Sequence, residues 1–160
     1  MADDATFWST PAGGALLDAR FSGWAEPVRR LIGAASDWRK WPLFDRPPLA
    51  RWSRGSVTLL GDAAHPMLPF LAQGAAQSIE DAAVLGQCAA ARPTDLARAF
   101  SDYEQLRKPR TARVQLESRK MARVYHLARP ASYARDAVLR SLGPRRLAAR
   151  YDWLYAGPVS

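Results

Sequence analysis

The sequence predicts an α/β chain in which one buried strand is followed by a glycine-marked turn and then by long helices. Residues 56–60 are β-branched or apolar on both faces, which is typical of a strand in a parallel sheet. Gly61 and Asp62 end this run abruptly, and from Gly74 onward the apolar residues recur mostly at helical spacing. With 160 residues, 48% of them hydrophobic and 24% charged, the chain can bury a core.

The first 50 residues are irregular, because four tryptophans lie among prolines and glycines. Residues 27–32 nevertheless predict a short helix, with Pro27 in its first turn and Gly33 at its end. Pro47 and Pro48 then interrupt any regular element before the strand begins.

Three helices are predicted after the strand, over residues 74–91, from Thr94 or Asp95 onward, and over residues 133–141. Pro109 is expected to kink or interrupt the second helix, and the aromatic tail at residues 151–155 is expected to dock onto the rest of the chain. The buried face of the first helix is expected to carry small and apolar residues that permit close packing: Ile79, Ala82, Ala83, Leu85 and Gly86.

The net charge of +8 is confined to the second part of the chain, since residues 1–91 carry a net charge of −1 and residues 92–160 a net charge of +9. A basic excess can indicate nucleic-acid binding. Here the arginines alternate with apolar and acidic residues at helical spacing, as on a solvated helix face, and aromatic residues are not interleaved with them. A basic nucleic-acid-binding module is therefore the less favoured alternative, and no nucleic-acid partner is expected.

Several other classes of protein are disfavoured by composition. No apolar run approaches the roughly 18–20 residues that cross a bilayer, and the acidic start of the chain lacks the features of a secretory signal. Cys88 is the only cysteine, so neither an intramolecular disulfide nor a multi-cysteine zinc site can form. We expect a cytoplasmic chain with no membrane partner and no metal site.

The chemical signal lies in residues 57–86. In open α/β sheets, ligands bind beyond the carboxyl ends of strands, which is where Asp62 is predicted to lie. Its carboxylate can accept hydrogen bonds from ribose or ribityl hydroxyls, and Gly61 allows a ligand to approach closely. The N–H groups of Gly74, Ala75 and Ala76, at the positive end of a helix dipole, suit an anionic or electron-rich ligand atom.

Each of these residues also has a purely structural interpretation. Asp62 could be a turn residue or a helix cap, Gly74 an ordinary helix start and Pro69 an ordinary loop proline. His65 is predicted to be structural, hydrogen-bonding the loop, rather than an acid–base catalyst.

The string GDAAHPMLPFLAQGAAQSIEDA, residues 61–82, resembles the second flavin-binding motif of the group A FAD-dependent monooxygenases, the aromatic hydroxylases. The form PMLPFLAQGA is most similar to the salicylate-hydroxylase-like branch. The similarity extends to both sides of this string. Before the strand it includes FSGW (residues 21–24), DRPPL (45–49) and Trp52. After the strand it includes YE (103–104), Arg107, PRT (109–111), VQ (114–115), SR (118–119) and DWLY (152–155).

The resemblance implies a role for each matching residue. Asp62 would bind the ribose of the ADP half of FAD, and Gly61 would provide room for it. Pro69 would lie beside the isoalloxazine ring and the aromatic substrate, and the N–H groups of Gly74, Ala75 and Ala76 would face the flavin N1–C2=O edge. No residue of the chain is assigned with certainty as catalytic.

The resemblance also implies an activity, in which FAD is reduced by NAD(P)H and, with O2, hydroxylates a small aromatic substrate. One departure from the family is large, because the sequence contains neither a G-x-G-x-x-G string nor an Asp-Gly dipeptide. The chain is thus expected to be the C-terminal part of a doubly wound FAD-binding fold, a lone FAD-sheet strand with long C-terminal helices and without the N-terminal βαβ unit.

Three segments are expected within this part of the fold. Residues 1–50 would be a remnant of the substrate domain, residues 51–92 the last strand, flavin loop and helix of the FAD-binding domain, and residues 93–160 the C-terminal helices. The alternative is a non-catalytic remnant, or one subunit of a split enzyme whose partner chain carries the N-terminal FAD-binding part.

Overall fold

The computed structural model describes residues 9–155, which fall into two compact units on either side of residue 43. In the first unit, β1 (Thr10–Ala12) pairs antiparallel with β2 (Trp38–Lys40). Two helices connect these strands, α1 (Gly14–Phe21) and α2 (Glu26–Gly33). The second of them confirms the helix predicted over residues 27–32, with a proline at its start.

The second unit begins with a short hairpin of β3 (Ser53–Arg54) and β4 (Val57–Thr58). The strand predicted over residues 56–60 is therefore shorter than expected, and its partner is antiparallel. Val57 is 65% exposed rather than covered on both sides. Within residues 9–155 no parallel strand lies beside it, so apolar residues that suit a sheet interior remain at the surface.

Two 3-10 turns and four helices follow the hairpin. The turns are Gly61–Ala63 and Pro69–Leu71. The helices are α3 (Gly74–Ala91), α4 (Leu96–Tyr125), α5 (Ala131–Ala149) and α6 (Asp152–Tyr155). In the described part of the chain, none of them is both long and apolar enough to cross a membrane.

The ends of α3 and the start of α4 agree with the sequence prediction. Asp95 caps α4, because its side chain accepts a hydrogen bond from the backbone N–H of Arg98 at 3.0 Å. Of the two outcomes predicted at Pro109, a kink or an interruption, the interruption does not occur, since α4 continues through this residue to Tyr125. Pro109 lies on the exposed side of the helix, where water can bond the backbone carbonyl that the proline leaves unpaired.

The last helices differ from the prediction mainly in extent. The third predicted helix, residues 133–141, forms as the longer α5, in which Gly143 departs from helical geometry (φ 68°, ψ 167°) at the predicted stop. The aromatic tail forms α6 and buries Leu154, so the expected docking is confirmed.

The buried face of α3 is not the predicted one. Gln77, Asp81 and Val84 are buried, whereas Ile79 is 71% exposed. Of the other residues expected on that face, Ala82, Ala83 and Gly86 are exposed, and only Leu85 is partly buried. The prediction was wrong because α3 turns its polar residues towards a buried arginine of α4, and helical periodicity of apolar residues contains no information about that partner.

An apolar core supports this arrangement on one side of α3. It consists of Trp52, Ala64, Val84 and Tyr103, with Leu49, Leu59, Leu85 and Cys88 packed against it. The core thus joins the residue before the hairpin to α3 and α4, and through Ala64 it fixes one end of the segment that was predicted to bind a ligand.

Candidate functional site

A cavity of about 390 Å³ lies at the start of α3. Four of the six predicted cofactor-binding residues line it, namely Asp62, Pro69, Gly74 and Ala75. Of the remaining two, Gly61 is buried behind the cavity and Ala76 is half-buried in the first turn of α3. The other lining residues are Met67, Leu68, Ala72, Gln73 and Ser78.

The N-terminus of α3 carries free hydrogen-bond donors. No side chain caps the helix, and its first turn contains no acidic residue. Within residues 9–155, the N–H groups of Gly74, Ala75 and Ala76 have no acceptor outside the helix. These donors and the positive end of the helix dipole are therefore available to a ligand atom that carries negative charge.

The carboxylate of Asp62 lies next to these donors. A Cβ atom built on Gly74 would be 3.9 Å from Asp62 Oδ1 and 4.0 Å from Met67 Cγ. Asp62 is exposed and forms no hydrogen bond or ion pair with another residue that the structure describes. The cavity thus combines a free carboxylate acceptor with free N–H donors, a set that can bind hydroxyls and an electron-rich edge of one ligand.

Gly61 has a structural reason to be glycine. Its φ is +58°, and a Cβ atom on it would lie 2.8 Å from Ser78 Oγ. The positive φ favours glycine here, and an added Cβ atom would displace the Ser78 hydroxyl, which donates to the Gly74 carbonyl at 2.9 Å. The predicted role of Gly61 beside a ribose stays a prediction.

Pro69 begins the 3-10 turn that separates this cavity from a second one. The turn ends at Ala72, which has left-handed backbone geometry (φ 52°, ψ 36°). Ala72 also lines an apolar and aromatic cavity of about 490 Å³ between this turn and helices α4, α5 and α6. The segment from Pro69 to Ala72 thus lines both cavities, with Pro69 on the first and Ala72 on both.

A buried carboxylate, that of Asp81, holds the start of the loop, at Gly61 and His65. Its Oδ2 accepts hydrogen bonds from the backbone N–H of Gly61 at 3.1 Å and from Nε2 of the fully buried His65 at 2.5 Å. His65 is therefore structural, as predicted, but its partner belongs to α3 rather than to the loop. Burial raises the pKa of Asp81, and the hydrogen bonds from His65 and Arg107 outweigh that effect and hold the pKa below its usual value of 3.8.

Arg107 of α4 completes this buried polar cluster. Its Nε donates to Asp81 Oδ1 at 2.7 Å, its Nη1 to Glu80 Oε2 at 2.6 Å and its Nη2 to Gln77 Oε1 at 2.8 Å. Although the guanidinium is only 1% exposed, every one of its nitrogens has a partner. Removing one partner of such a buried pair would leave an uncompensated charge, which is strongly destabilising.

Helix α4 also holds the middle of the loop. Gln115 Nε2 donates to the carbonyl of Pro66 at 2.9 Å, and Ser118 Oγ donates to the carbonyl of Leu68 at 2.5 Å. Both side chains are buried. The loop that carries Pro69 therefore rests on polar side chains of a helix about 50 residues later in the sequence.

Four residues that shape the site were not predicted from the sequence: Asp81, Arg107, Gln115 and Ser118. One signal was available, since Gln77 and Asp81 lie four residues apart on a helix that is otherwise rich in alanine. A polar pair on such a helix can indicate a buried polar partner, but the identity of that partner is not local information.

Comparison with known proteins supports the flavin interpretation of this cavity. Residues 32–118 match the family described as FAD binding domain. A 3-amino-4-hydroxybenzoate 2-monooxygenase of Streptomyces platensis is 43% identical over 98% of this chain, and a 3-hydroxybenzoate 6-hydroxylase of Polaromonas naphthalenivorans is 39% identical over 89% of it. This chain covers only 40% and 36% of the length of those two relatives.

Solved structures agree in fold. A salicylate hydroxylase in a substrate complex superposes on 99% of this chain with a TM-score of 0.81 and 30% identity, although the chain covers only 38% of it. Klebsiella pneumoniae HpxO, complexed with FAD and uric acid, superposes on the whole chain with a TM-score of 0.76 and 33% identity, and 41% of it is covered. The predicted fold class, part of an α/β FAD-binding fold, is confirmed by these likenesses.

The family match includes the hairpin, the loop of residues 59–73, all of α3 and most of α4. It therefore spans the cavity and every residue of the buried cluster that supports it. Because this match covers more than half of the chain, the protein belongs to the FAD-binding domain family, as the resemblance of residues 61–82 to the aromatic hydroxylases predicts.

Proposed function

We propose that the cavity at the start of α3 binds FAD. The observation that carries this proposal is that the free carboxylate of Asp62 and the uncapped N-terminus of α3 face the same cavity. Asp62 would accept hydrogen bonds from the ribose of the ADP half, and Gly74, Ala75 and Ala76 would donate to the N1–C2=O edge of the flavin ring. Pro69 would lie beside that ring and the aromatic substrate.

Bound FAD would supply the redox chemistry, and the chain would bind, orient and polarise it. A flavin ring gains negative charge near N1 and C2=O when it is reduced. The N-terminus of α3 would stabilise this charge by about 0.3–2 kcal/mol, since the dipole and the free N–H groups act together there. The absence of an acidic residue from the first turn of α3 suits the same role.

We further propose that the whole protein is an NAD(P)H-dependent monooxygenase that uses O2 to hydroxylate a small aromatic substrate in the cytoplasm, where NAD(P)H is supplied. Support comes from the names of the relatives, which include hydroxylases of hydroxybenzoates and of an aminohydroxybenzoate. The chain spans about two fifths of their length, so this activity is proposed for a unit larger than these 160 residues.

A complementary segment, on the same or on a separate chain, would supply the pyrophosphate-binding loop. The exposed small and apolar face of α3 supports this view, since Ile79, Ala82, Ala83 and Gly86 form a stripe that a further layer of the fold could cover. A non-catalytic remnant or a subunit of a split enzyme would keep the same face and the same cavity.

The test of FAD binding uses the 160-residue chain. The purified chain is mixed with FAD, passed through gel filtration and examined for flavin absorption bands that stay with the protein. We expect partial retention of flavin, because the chain has no G-x-G-x-x-G string to bind the pyrophosphate. We expect Asp62→Ala to weaken binding by at least about 1.5 kcal/mol, the scale of a lost hydrogen bond to a charged group.

The matched control is Asp18→Ala, which removes an equal charge from an exposed position in the first unit. This variant should keep the affinity of the parent chain. A parent chain that elutes colourless would contradict FAD binding by these residues alone, and an Asp62→Ala chain of unchanged affinity would contradict the assignment of the ribose contact.

A further inference from the structure

The groups proposed to contact FAD lie on two separate pieces of backbone. Asp62 is in the 3-10 turn Gly61–Ala63, and the N–H donors are at the start of α3, twelve or more residues later. One ligand can use both only if the distance between the turn and the helix is fixed. A displacement of about 1 Å at such a site is enough to cost affinity or rate.

The turn Gly61–Ala63 is closed by its own backbone hydrogen bonds. The N–H groups of Ala64 and His65 donate to the carbonyl of Gly61, at 2.9 and 2.8 Å. Asp62 is therefore enclosed between two residues, Gly61 and His65, whose backbones are bonded to each other. Any group that holds Gly61 and His65 also holds the backbone of Asp62.

Asp81 holds both of them. Its Oδ2 accepts from the Gly61 N–H and from His65 Nε2, while its Oδ1 accepts from Arg107 Nε. Asp81 lies on α3 two helical turns after Gly74, so one side chain joins the turn, α3 and α4. Among residues 9–155, Asp81 is the α3 residue whose side chain hydrogen-bonds the turn.

We propose that Asp81 is a positioning residue of the FAD site, which fixes the Asp62 carboxylate relative to the N-terminal donors of α3. Asp81 does not line the cavity, so it acts through Gly61 and His65. This inference rests on the proposed binding of FAD, but the anchoring of the turn can be measured without FAD.

A carboxylate is suited to this position, because three donors converge on its two oxygens. An asparagine has one acceptor oxygen and an NH2 group, so it must present a donor either to Arg107 or to the Gly61 and His65 pair. Asp81→Asn therefore keeps the shape of the side chain and breaks one side of the link. Glu80→Gln is the matched control, because Glu80 pairs with the same Arg107 but contacts no atom of the turn.

The first measurement is amide hydrogen exchange of the 160-residue chain without FAD. Protection at Gly61 is compared with protection at Val84, a core residue of α3, within each sample. In Asp81→Asn we expect Gly61 to lose about tenfold more protection than Val84, and in Glu80→Gln we expect the two residues to change together. Equal changes at Gly61 and Val84 in Asp81→Asn would overturn the proposal.

The second measurement uses FAD. Asp81→Asn should raise the dissociation constant by about tenfold to a hundredfold, and at saturating FAD it should make the midpoint potential of the flavin more negative. The potential should fall because the reduced ring loses its alignment with the N–H groups of α3. Glu80→Gln should change the affinity by less than about threefold and leave the potential unchanged, because Glu80 neither hydrogen-bonds the turn nor lines the cavity.

The two proposals fail in different ways. If the parent chain does not retain FAD, the proposed function fails, while the exchange experiment still decides whether Asp81 anchors the turn. If the parent retains FAD and Asp81→Asn binds it equally well with an unchanged potential, the positioning role is overturned and FAD binding stands.

A second pair of variants covers the case in which Asp81→Asn does not fold. His65→Gln keeps an N–H donor near the place of Nε2, whereas His65→Leu removes it. Asp81 retains Arg107 in both variants. We expect His65→Gln to keep most of the Gly61 protection and of the FAD affinity and His65→Leu to lose both, and equal behaviour of the two would contradict the role of Asp81.

Discussion

Gly61 shows how a single backbone position shapes the cavity. Its positive φ disfavours a side chain, and a Cβ atom there would also displace the Ser78 hydroxyl, which lies 2.8 Å from the position of that atom. Left-handed geometry costs a non-glycine residue about 1–2 kcal/mol, and overpacking a close contact costs about 1–3 kcal/mol. The residue that opens the flavin motif is therefore needed for the turn to lie against α3, whether or not a ligand is bound.

Gly61→Ala should accordingly lower the free energy of unfolding by about 2–4 kcal/mol, measured by urea denaturation of the chain without FAD. Gly86→Ala is the matched control, since Gly86 lies inside α3 with open space around its position. Alanine there should stabilise the chain by up to about 1 kcal/mol through helix propensity. A Gly61→Ala chain as stable as the parent would contradict the packing argument.

At the level of elements, α4 organises the site without lining the cavity. Its Arg107, Gln115 and Ser118 hold α3 and the carbonyls of the loop, and they lie on one side of the helix. The same helix holds the tail through Arg110, whose Nη1 and Nη2 donate to the carbonyls of Trp153 at 3.0 Å and Leu154 at 2.9 Å. These carbonyls belong to α6, where backbone acceptors lack helical partners.

Arg110→Ala should therefore release α6. The loss of two hydrogen bonds to backbone carbonyls and of the ion pair with Glu80 is expected to cost about 1–3 kcal/mol and to raise exchange in the peptide that covers residues 150–155. Arg98→Ala is the control, because Arg98 lies on the same helix and its exposed side chain pairs with Asp102. If exchange in the tail rises equally in both variants, Arg110 is not the residue that holds α6.

Helices and strands could be predicted where the interactions that define them are local in the sequence, and not where those interactions join distant residues. The bounds of α3 depend on Gly74 and on local helix propensity, so the sequence predicts them correctly. The face that α3 buries depends on Arg107, which lies 26 residues after Asp81, and local periodicity therefore indicated the wrong face. Pro109 was expected to kink or interrupt α4, but it does not end the helix, because the contacts of a long helix outweigh the loss of one backbone hydrogen bond.

For the whole molecule, the candidate site was more predictable than the packing around it. Residues 61–82 form a continuous motif, so Asp62, Pro69, Gly74 and Ala75 could be identified together, and the structure places them around one cavity. The supporting cluster could not be identified, because its members are joined by buried ion pairs between distant residues. The basic excess of residues 92–160 has the same explanation in part, since Arg107, Arg110 and Arg119 pair with acidic residues of the first part of the chain, Glu80, Asp81 and Asp45.

Glu80 makes the stability of the whole chain depend on pH. Glu80 forms ion pairs with Arg107, near the centre of α4, and with Arg110, which also hydrogen-bonds α6. Burial raises the pKa of Glu80. The hydrogen bonds and charges of Arg110 and Arg107 together lower the pKa by more than burial raises it, so the pKa of Glu80 lies below its usual value of 4.5. A carboxyl group whose pKa is depressed by folding stabilises the folded chain when the pH is above its unfolded pKa, and that contribution is lost as the pH falls through the folded pKa.

The free energy of unfolding of the parent chain should therefore decrease as the pH is lowered below about 5, and that of Glu80→Gln should decrease less steeply. The variant should be less stable at pH 7, and the two curves should converge in acid, where protonation of Glu80 in the parent removes the same ion pairs. Asp81 and Glu104 have depressed pKa values as well, so the variant keeps part of the dependence. Urea denaturation from pH 7 to pH 3 measures both curves, and parallel curves would show that Glu80 does not link α3, α4 and the tail as an ionised group.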